Sequence, residues 1–240
     1  MNVYESRPIR EYIEGNPYVG RGIAVGMTGG GKTAVTAYFI MGRSENSRNR
    51  IFVEEGEDLM IRPFDVSKVE DPSLIIYYPV RLVEQKLIVT NGDQTDTIRD
   101  FLQEGGSFEE ALRTRAFEPD GPNWTPRISG LLCFEDGFRY KMSILKSADA
   151  AGSACSRYFF EYPGIPGQGH FLHTYMTDGS PIPTFCGEPE RITVPEDIDA
   201  FAEEIWTSLN EDNKISLYVR YTDIATGAAV SRMINKWEEK

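Results

Sequence analysis

Residues 26–33 read GMTGGGKT and fit the phosphate-binding pattern G-x-x-x-x-G-K-[ST] without a mismatch. In a nucleotide-binding loop, backbone N–H groups and the next helix N-terminus cradle phosphate oxygens, so a strand must lead in and a helix must lead out. The flanks supply only the strand. GRGIAVGMT is short, apolar and punctuated by glycine. TAVTAYFIMG, beyond the glycines, is rich in β-branched and aromatic residues, which favours a strand over a buried helix. TGGGK then reads as a hairpin turn. The acidic partner that would hold magnesium meets the same objection. GLLCFED ends in Glu135 and Asp136, but EDG is a turn signal, and Phe138, Tyr140, Met142 and Ile144 then alternate with Arg139, Lys141 and Ser143. That pattern predicts half of an antiparallel hairpin with one wetter face, whereas buried parallel strands run almost continuously apolar. Nucleotide binding through Gly26–Thr33 stands as an alternative.

Other residues carry chemistry at suggestive spacings. Arg43, Arg48 and Arg50 crowd GRSENSRNR, offset only by Glu45. In an acidic chain this is either a local anion site or a solvated basic loop. LIVTNGDQTDTI puts Asn91, Gly92, Gln94 and Asp96 at a strand-to-helix junction. A turn with an N-cap from Thr95 or Asp96 accounts for them, as does a polar ligand at the helix N-terminus. FEPDGPNWTPRIS is a loop carrying Glu118 and Asp120, followed by Asn123, Thr125 and Arg127 entering a strand. His170 and His173, the only histidines, lie in a strand-like stretch where their spacing sends them to opposite faces, which argues against a shared metal.

The chain as a whole narrows the classes. Its 240 residues can build a substantial core, and a formal charge of −12 argues against general nucleic-acid binding. No apolar run approaches the roughly 18 residues of a membrane helix, and the first residues have no secretory pattern. Three widely spaced cysteines, without a C-x-x-C pair, fit a reducing cytoplasm and neither a disulfide framework nor zinc. TDTIRDFLQEG and SFEEALRTRAF predict two short helices joined at Gly105–Gly106, the second opened by a Ser107–Glu110 capping box. RYFFEY, HFLHTYM and ISLYVRY read as strands, and PEDIDAFAEEIWTSLN as a further helix. YPGIPGQG and TDGSPIPTFCGEP read as ordered surface loops. The expected class is α+β: two stacked antiparallel sheets with helices outside.

Several of these segments, in order, resemble one family. NPYVGRGIAVGMTGGGKTAVTAYFIMGRSENSRNRIF, DPSLIIYYPVRLV, TNGDQTDTI and NWTPRI are similar to the archaeal-type IMP cyclohydrolases and their bacterial relatives, across roughly residues 16–146 and more weakly beyond. The resemblance implies one domain over residues 1–240, with residues 1–15 as an N-terminal extension, in the four-layer αββα sandwich of the N-terminal-nucleophile hydrolases. It implies closure of a formamido-imidazole-carboxamide ribonucleotide to IMP with loss of water, and no cofactor or metal. The partner is then a small purine nucleotide, with no nucleic acid and no membrane, in a homo-oligomer. The matched motifs carry Arg50, Tyr77 and Glu118 over as the reacting-centre set, with Tyr78 the neighbouring alternative to Tyr77. They carry Arg21, Arg43, Ser44, Asn91, Asp96, Asn123 and Arg127 over as substrate ligands. A relative that keeps the fold and binds a purine nucleotide with altered activity is the other reading. A self-processed amidase is disfavoured, because NPYVGRGIAVG offers no Cys, Ser or Thr at the start of the first core strand.

Overall fold

The computed structural model describes residues 4–68 and 76–237. A short helix α1 (Arg10–Ile13) leads into the hairpin β1 (Arg21–Met27) and β2 (Thr33–Met41), then α2 (Glu45–Arg48). The strands β3 (Ile51–Glu55), β4 (Asp58–Arg62), β5 (Val80–Val83) and β6 (Lys86–Thr90) precede the helix pair α3 (Gln94–Gln103) and α4 (Phe108–Arg113). β7 (Arg127–Cys133), β8 (Arg139–Ser147), β9 (Cys155–Pro163), β10 (Gln168–His173) and β11 (Glu190–Thr193) follow. α5 (Ile198–Ser208), β12 (Lys214–Asp223) and β13 (Ala229–Asn235) close the described chain. The strands form two sheets, in the orders β11-β10-β1-β2-β12-β13 and β3-β4-β5-β6-β7-β8-β9. Each of these pairings is antiparallel.

Three apolar cores explain why these segments stack. Ile23, Val25, Tyr38 and Ile40 of the first sheet meet Leu87, Val89, Ile128 and Met142 of the second, so the sheets face one another. Val35, Phe39, Phe171 and Val219 use the opposite face of the first sheet to bury Phe201 and Ile205 of α5. Ile9 and Ile13 join this second core, so the segment before Asn16 packs into the fold. Ile88, Leu131 and Leu145 likewise bury Ile98, Phe108 and Leu112 of α3 and α4. Burial on both faces explains why β1 and β2 are almost continuously apolar.

The helix pair forms as expected: Glu110 N–H donates to Ser107 Oγ at 3.2 Å, and Ser107 N–H donates to Glu110 Oε2 at 2.9 Å. α5 starts at an Asp197 cap whose carboxylate accepts from Ala200 N–H at 2.8 Å. Two expectations are corrected. The N-cap of α3 is Asp93, without a side-chain cap bond, while Thr95 and Asp96 lie inside the first turn. Thr95 instead bonds Thr90 and the Gly92 carbonyl, which holds the junction from within. The wetter face of β8 is wet only in part: Arg139 and Lys141 reach solvent, but Ser143 and Leu145 are fully buried under the helix pair.

GMTGGGKT is a hairpin connection. Thr28 N–H donates to Thr33 carbonyl and Gly31 N–H to Thr28 carbonyl, with Gly31 at φ +69° where glycine is favoured. β2 follows where a phosphate loop requires a helix. A protein carboxylate occupies the anion-accepting loop edge: Gly30 N–H donates to Glu196 Oε1 at 2.6 Å. Lys32 is exposed. Both histidines are buried in β10. Tyr140 hydroxyl and His170 Nδ1 share a hydrogen bond at 2.6 Å, and the Tyr162 ring stacks on His170 with centroids 3.6 Å apart. His173 donates from Nδ1 to the Tyr175 carbonyl at 2.7 Å and stacks on Phe171.

Among the described residues no helix is long and apolar enough to cross a membrane.

Two predictions follow from this packing. Lys32→Ala leaves MgATP affinity unchanged, because the side chain sits on a turn whose N–H group is already paired; loss of a measurable affinity, by calorimetry, would restore the nucleotide-loop reading. Burial lowers both His170 and His173 to about 4, with Arg191 adding to the effect at His170. Unfolded histidine titrates near 6.5, so from pH 6.5 down to 4 the unfolded chain binds protons that the native state refuses. The stabilising contribution is complete above that window and falls with pH, by up to about 2 kcal/mol per histidine at pH 5. Urea unfolding of the wild type and His170→Asn from pH 7.5 to 5 should show the stability gap between them shrinking; a constant gap would remove His170 from the acid sensitivity.

Candidate active site

Four separate segments bring charged and phenolic side chains within electrostatic reach of one another. Arg21 opens β1, Arg50 immediately precedes β3, Tyr77 precedes β5, and Glu118 lies in the loop after α4. Each backbone is held near its side chain. Arg21 N–H donates to Thr174 Oγ1 at 3.1 Å, and its carbonyl accepts from Thr174 N–H. Gly20, at φ +78°, makes that approach possible, since a β-carbon there would lie 2.1 Å from Thr174 Oγ1. Asn49 fixes the chain before Arg50 through paired bonds to Asp65 N–H and carbonyl, at 2.6 and 2.8 Å. Tyr77 carbonyl accepts from Ile61 N–H, and Glu118 N–H donates to Thr125 carbonyl at 2.9 Å.

The electrostatics of this cluster are unusual. Among the described residues neither Arg21 nor Arg50 has a carboxylate in ion-pair contact, and the Nε of each is buried without a hydrogen-bond partner. Arg50 is only 8% exposed. Burial, and then the charge of Arg21, lower its pKa. Burial also opposes the charge of Arg21, but Glu118 first, then the phenols of Tyr18, Tyr77 and Tyr175, outweigh it and raise the pKa. Tyr77 and Tyr175 are held above the usual phenol range and so are uncharged at neutral pH, which leaves Glu118 as the partner that matters. Burial raises Tyr77 although both arginines pull the other way. Two guanidiniums and one carboxylate leave a local positive excess inside an acidic protein, which suits an anion or a developing oxyanion.

The other candidates lie elsewhere. Tyr77 turns inward, with its hydroxyl 3.1 Å from that of Tyr38. Tyr78 turns outward, donating to Glu55 at 2.8 Å under the guanidinium of Arg81. Tyr77, not Tyr78, therefore lies within electrostatic reach of Arg21 and Arg50. Arg43 and Asn123 stand on a rim. Arg43 bonds Asp178 and the Gly179 carbonyl and lies over the Tyr18 ring, while Asn123 accepts from Ile182 N–H at 3.1 Å. Ser44 caps α2, its hydroxyl committed to Ser47 N–H. Arg127 faces the helix side of its sheet, since its neighbour Ile128 faces the intersheet core. Its guanidinium donates to Asp93 Oδ1 and Gln94 Oε1, both at 2.7 Å. Asn91 bonds Pro126, Ile128 and Gln94, and Asp96 pairs with Arg81 and Arg99. None of Ser44, Asn91, Asp96 and Arg127 joins the Arg21–Arg50 cluster by a contact.

Sequence reasoning missed Tyr38, Tyr18 and Tyr175. Tyr175 O–H pairs with Thr125 Oγ1 at 2.5 Å, and Asp120 accepts from Thr125 N–H at 2.7 Å. Trp124, at φ +46°, donates to the Ala150 carbonyl and packs edge-on against Phe117. These contacts hold the loop that carries Glu118. A detectable signal existed for Tyr38 alone: a phenol within an apolar core strand must find a partner.

Two antiparallel sheets packed face to face, with helices on their outer faces, define an α+β sandwich protein. A family model described as IMP cyclohydrolase-like protein matches residues 18–227. The chain belongs to that family. It is 32% identical over 181 residues to the IMP cyclohydrolase of Methanopyrus kandleri, covering 70% of this chain and 89% of the relative. It is 33% identical over 120 residues to the IMP cyclohydrolase of Methanocella arvoryzae, covering 48% and 57% respectively. The same identity holds over 119 residues with that of Methanothrix thermoacetophila, again covering 48% and 57%.

The two arginines outside the cluster should separate by experiment. Arg127→Ala removes buried charge-assisted bonds and should lower unfolding free energy by roughly 1.5–3 kcal/mol. Arg43→Ala breaks an exposed pair and should change stability by about 1 kcal/mol or less. Denaturant unfolding of both variants tests this. Equal losses would mean that Arg127 is not the internal brace its contacts describe.

Proposed function

We propose that this chain is an IMP cyclohydrolase, closing the six-membered ring of a formamido-imidazole-carboxamide ribonucleotide with release of water. The observation that carries the reading is the convergence of Arg21, Arg50, Tyr77 and Glu118 from four segments in a member of this family. The carboxamide nitrogen bonds the formyl carbon and gives a proton to Glu118. Arg21 and Arg50 stabilise the negative charge that develops on the formyl oxygen, and Tyr77 supplies the proton that makes it a hydroxyl. Glu118 then returns its proton to that hydroxyl, which leaves as water, while the formamido N–H proton passes back to Tyr77 and the new C=N bond forms. Arg43 and Asn123, on the rim, are proposed to meet the ribose phosphate end of the substrate. Arg127 and Asn91 act through the backbone they brace.

The likeness to the four-layer sandwich of the N-terminal-nucleophile hydrolases belongs to the same proposal, supported by helices over both outer sheet faces. Arg21, preceded by a packed segment, stands at the start of β1, so the fold serves a different chemistry from self-processing. Residues 1–240 act as one domain on a small nucleotide, and the three free cysteines favour the cytoplasm.

Mixing the purified protein with the formamido ribonucleotide and EDTA, and following IMP by chromatography, tests the reading. Turnover above the uncatalysed rate is expected; tight IMP binding without turnover would make the chain a nucleotide-binding relative. Glu118→Gln should lower kcat by about 10²–10⁴ with KM little changed. Asp120→Asn keeps a carbonyl acceptor for Thr125 and should lose less. A larger loss at Asp120 would point to the wrong carboxylate.

A further inference from the structure

Tyr38 sits in the middle of β2, paired with Ile23 on one side and Tyr218 on the other. Its ring stacks on Phe52 with centroids 5.5 Å apart, and the residue is fully buried. Among the described residues the only hydrogen-bond partner of its hydroxyl is the hydroxyl of Tyr77, at 3.1 Å. Either oxygen of such a pair can donate. Burial decides between them.

A phenol has one proton to give and lone pairs to receive with. If Tyr77 donated, the Tyr38 proton would be enclosed among apolar side chains with no acceptor, a penalty comparable to a lost hydrogen bond. The nearby guanidiniums of Arg21 and Arg50 carry only donors and cannot relieve it. Tyr77 has the other option, because Glu118 lies close enough to act on it and a carboxylate oxygen can accept. We propose that Tyr38 is a positioning residue that donates to Tyr77 and so holds the Tyr77 proton toward the reacting atoms. This assignment rests on the ring-closure reading only for its kinetic consequence; the direction of the bond stands independently of it.

The groups facing Tyr77 are Tyr38 from β2, Arg21 from β1, Arg50 ahead of β3 and Glu118 from the loop after α4. Burial holds Tyr77 above the usual phenol range, Arg21 and Arg50 oppose that, and the bond from Tyr38 opposes it further. Losing the Tyr38 hydroxyl therefore makes the Tyr77 phenolate harder to form. The same bond keeps the Tyr77 proton available for transfer to the departing oxygen.

Three measurements test the assignment. In ultraviolet titration of phenolate, the difference between wild type and Tyr77→Phe isolates Tyr77. Repeating that difference in the Tyr38→Phe background should move the Tyr77 titration to higher pH. An unmoved or lowered titration would overturn the proposal, whether or not the protein closes rings. Tyr77→Phe strands the Tyr38 proton whereas Tyr38→Phe strands nothing, so Tyr77→Phe should melt at the lower temperature. The reverse order would reverse the donor. In an active enzyme, Tyr38→Phe should lower kcat roughly 3- to 10-fold, the worth of one hydrogen bond, with KM held. A wild-type kcat would refute the positioning role. Absence of turnover in the wild type would remove the ring-closure reading, and the titration and melting order would still decide the direction of the bond.

Discussion

The arrangement depends on one electrostatic constraint: two guanidiniums share a buried pocket with a single carboxylate in electrostatic reach. Arg50 feels both the loss of water and the charge of Arg21, and both lower its pKa. Such a pair is unfavourable where water and counter-charge cannot compensate it, so packing must hold both side chains in place. Two packed sheets provide that frame. β1 and β2 are covered on both faces, so Arg21 projects from a strand that has little freedom to relax. The chain as a whole carries the opposite sign, with a formal charge of −12. The positive excess is therefore local and built by placement rather than by composition.

The polar residues around the pocket divide into two systems with different work. On the helix side of the second sheet, Arg127, Asp93, Gln94 and Asn91 satisfy one another and brace the corner between β6, α3 and β7. Asp93 sits between Arg127 and Arg115, and its pKa is lowered: burial raises it, but bonds and charge from both arginines outweigh that. On the intersheet side, the arginines of the pocket are left without ion pairs among the described residues. Both systems use arginine, yet only one leaves its charge available. The loop carrying Glu118 runs between them, tied to Thr125, which Asp120 holds in turn.

Much of the fold was legible because local signals agreed with one another. β-branched and aromatic content around the glycines marked a hairpin, and the Ser107–Glu110 capping box placed α4 to the residue. The proposed site was legible only through motif likeness, which named Arg50, Tyr77 and Glu118 without giving their arrangement. Tyr77 and Tyr78 illustrate the limit. Adjacent residues of an extended segment face opposite ways, so a one-residue ambiguity decides which phenol enters the pocket. The sequence before them carries no alternation to fix that parity. Arg127 illustrates another limit: its partners Asp93 and Gln94 are distant in sequence, so a committed arginine and a free one look alike. Asp93 as N-cap escaped because it caps without a side-chain bond, the feature by which caps are recognised.

The glycine-rich loop and the arginine pocket are two solutions to holding an anion, and this chain uses them for different ends. Loop N–H groups bind phosphate well when a helix dipole lies behind them and nothing else fills their donors. Here β2 lies behind the loop, and Glu196 takes the donated bond of Gly30. The loop thus holds an anion supplied by the protein itself, which ties the β1–β2 turn to the segment entering α5. At the other end of the same hairpin, Arg21 opens β1 with no carboxylate in ion-pair contact among the described residues. The hairpin is pinned at its turn by an internal anion and left positively charged at its open end. This division fixes the turn and leaves the guanidinium at the open end without an ion pair among the described residues.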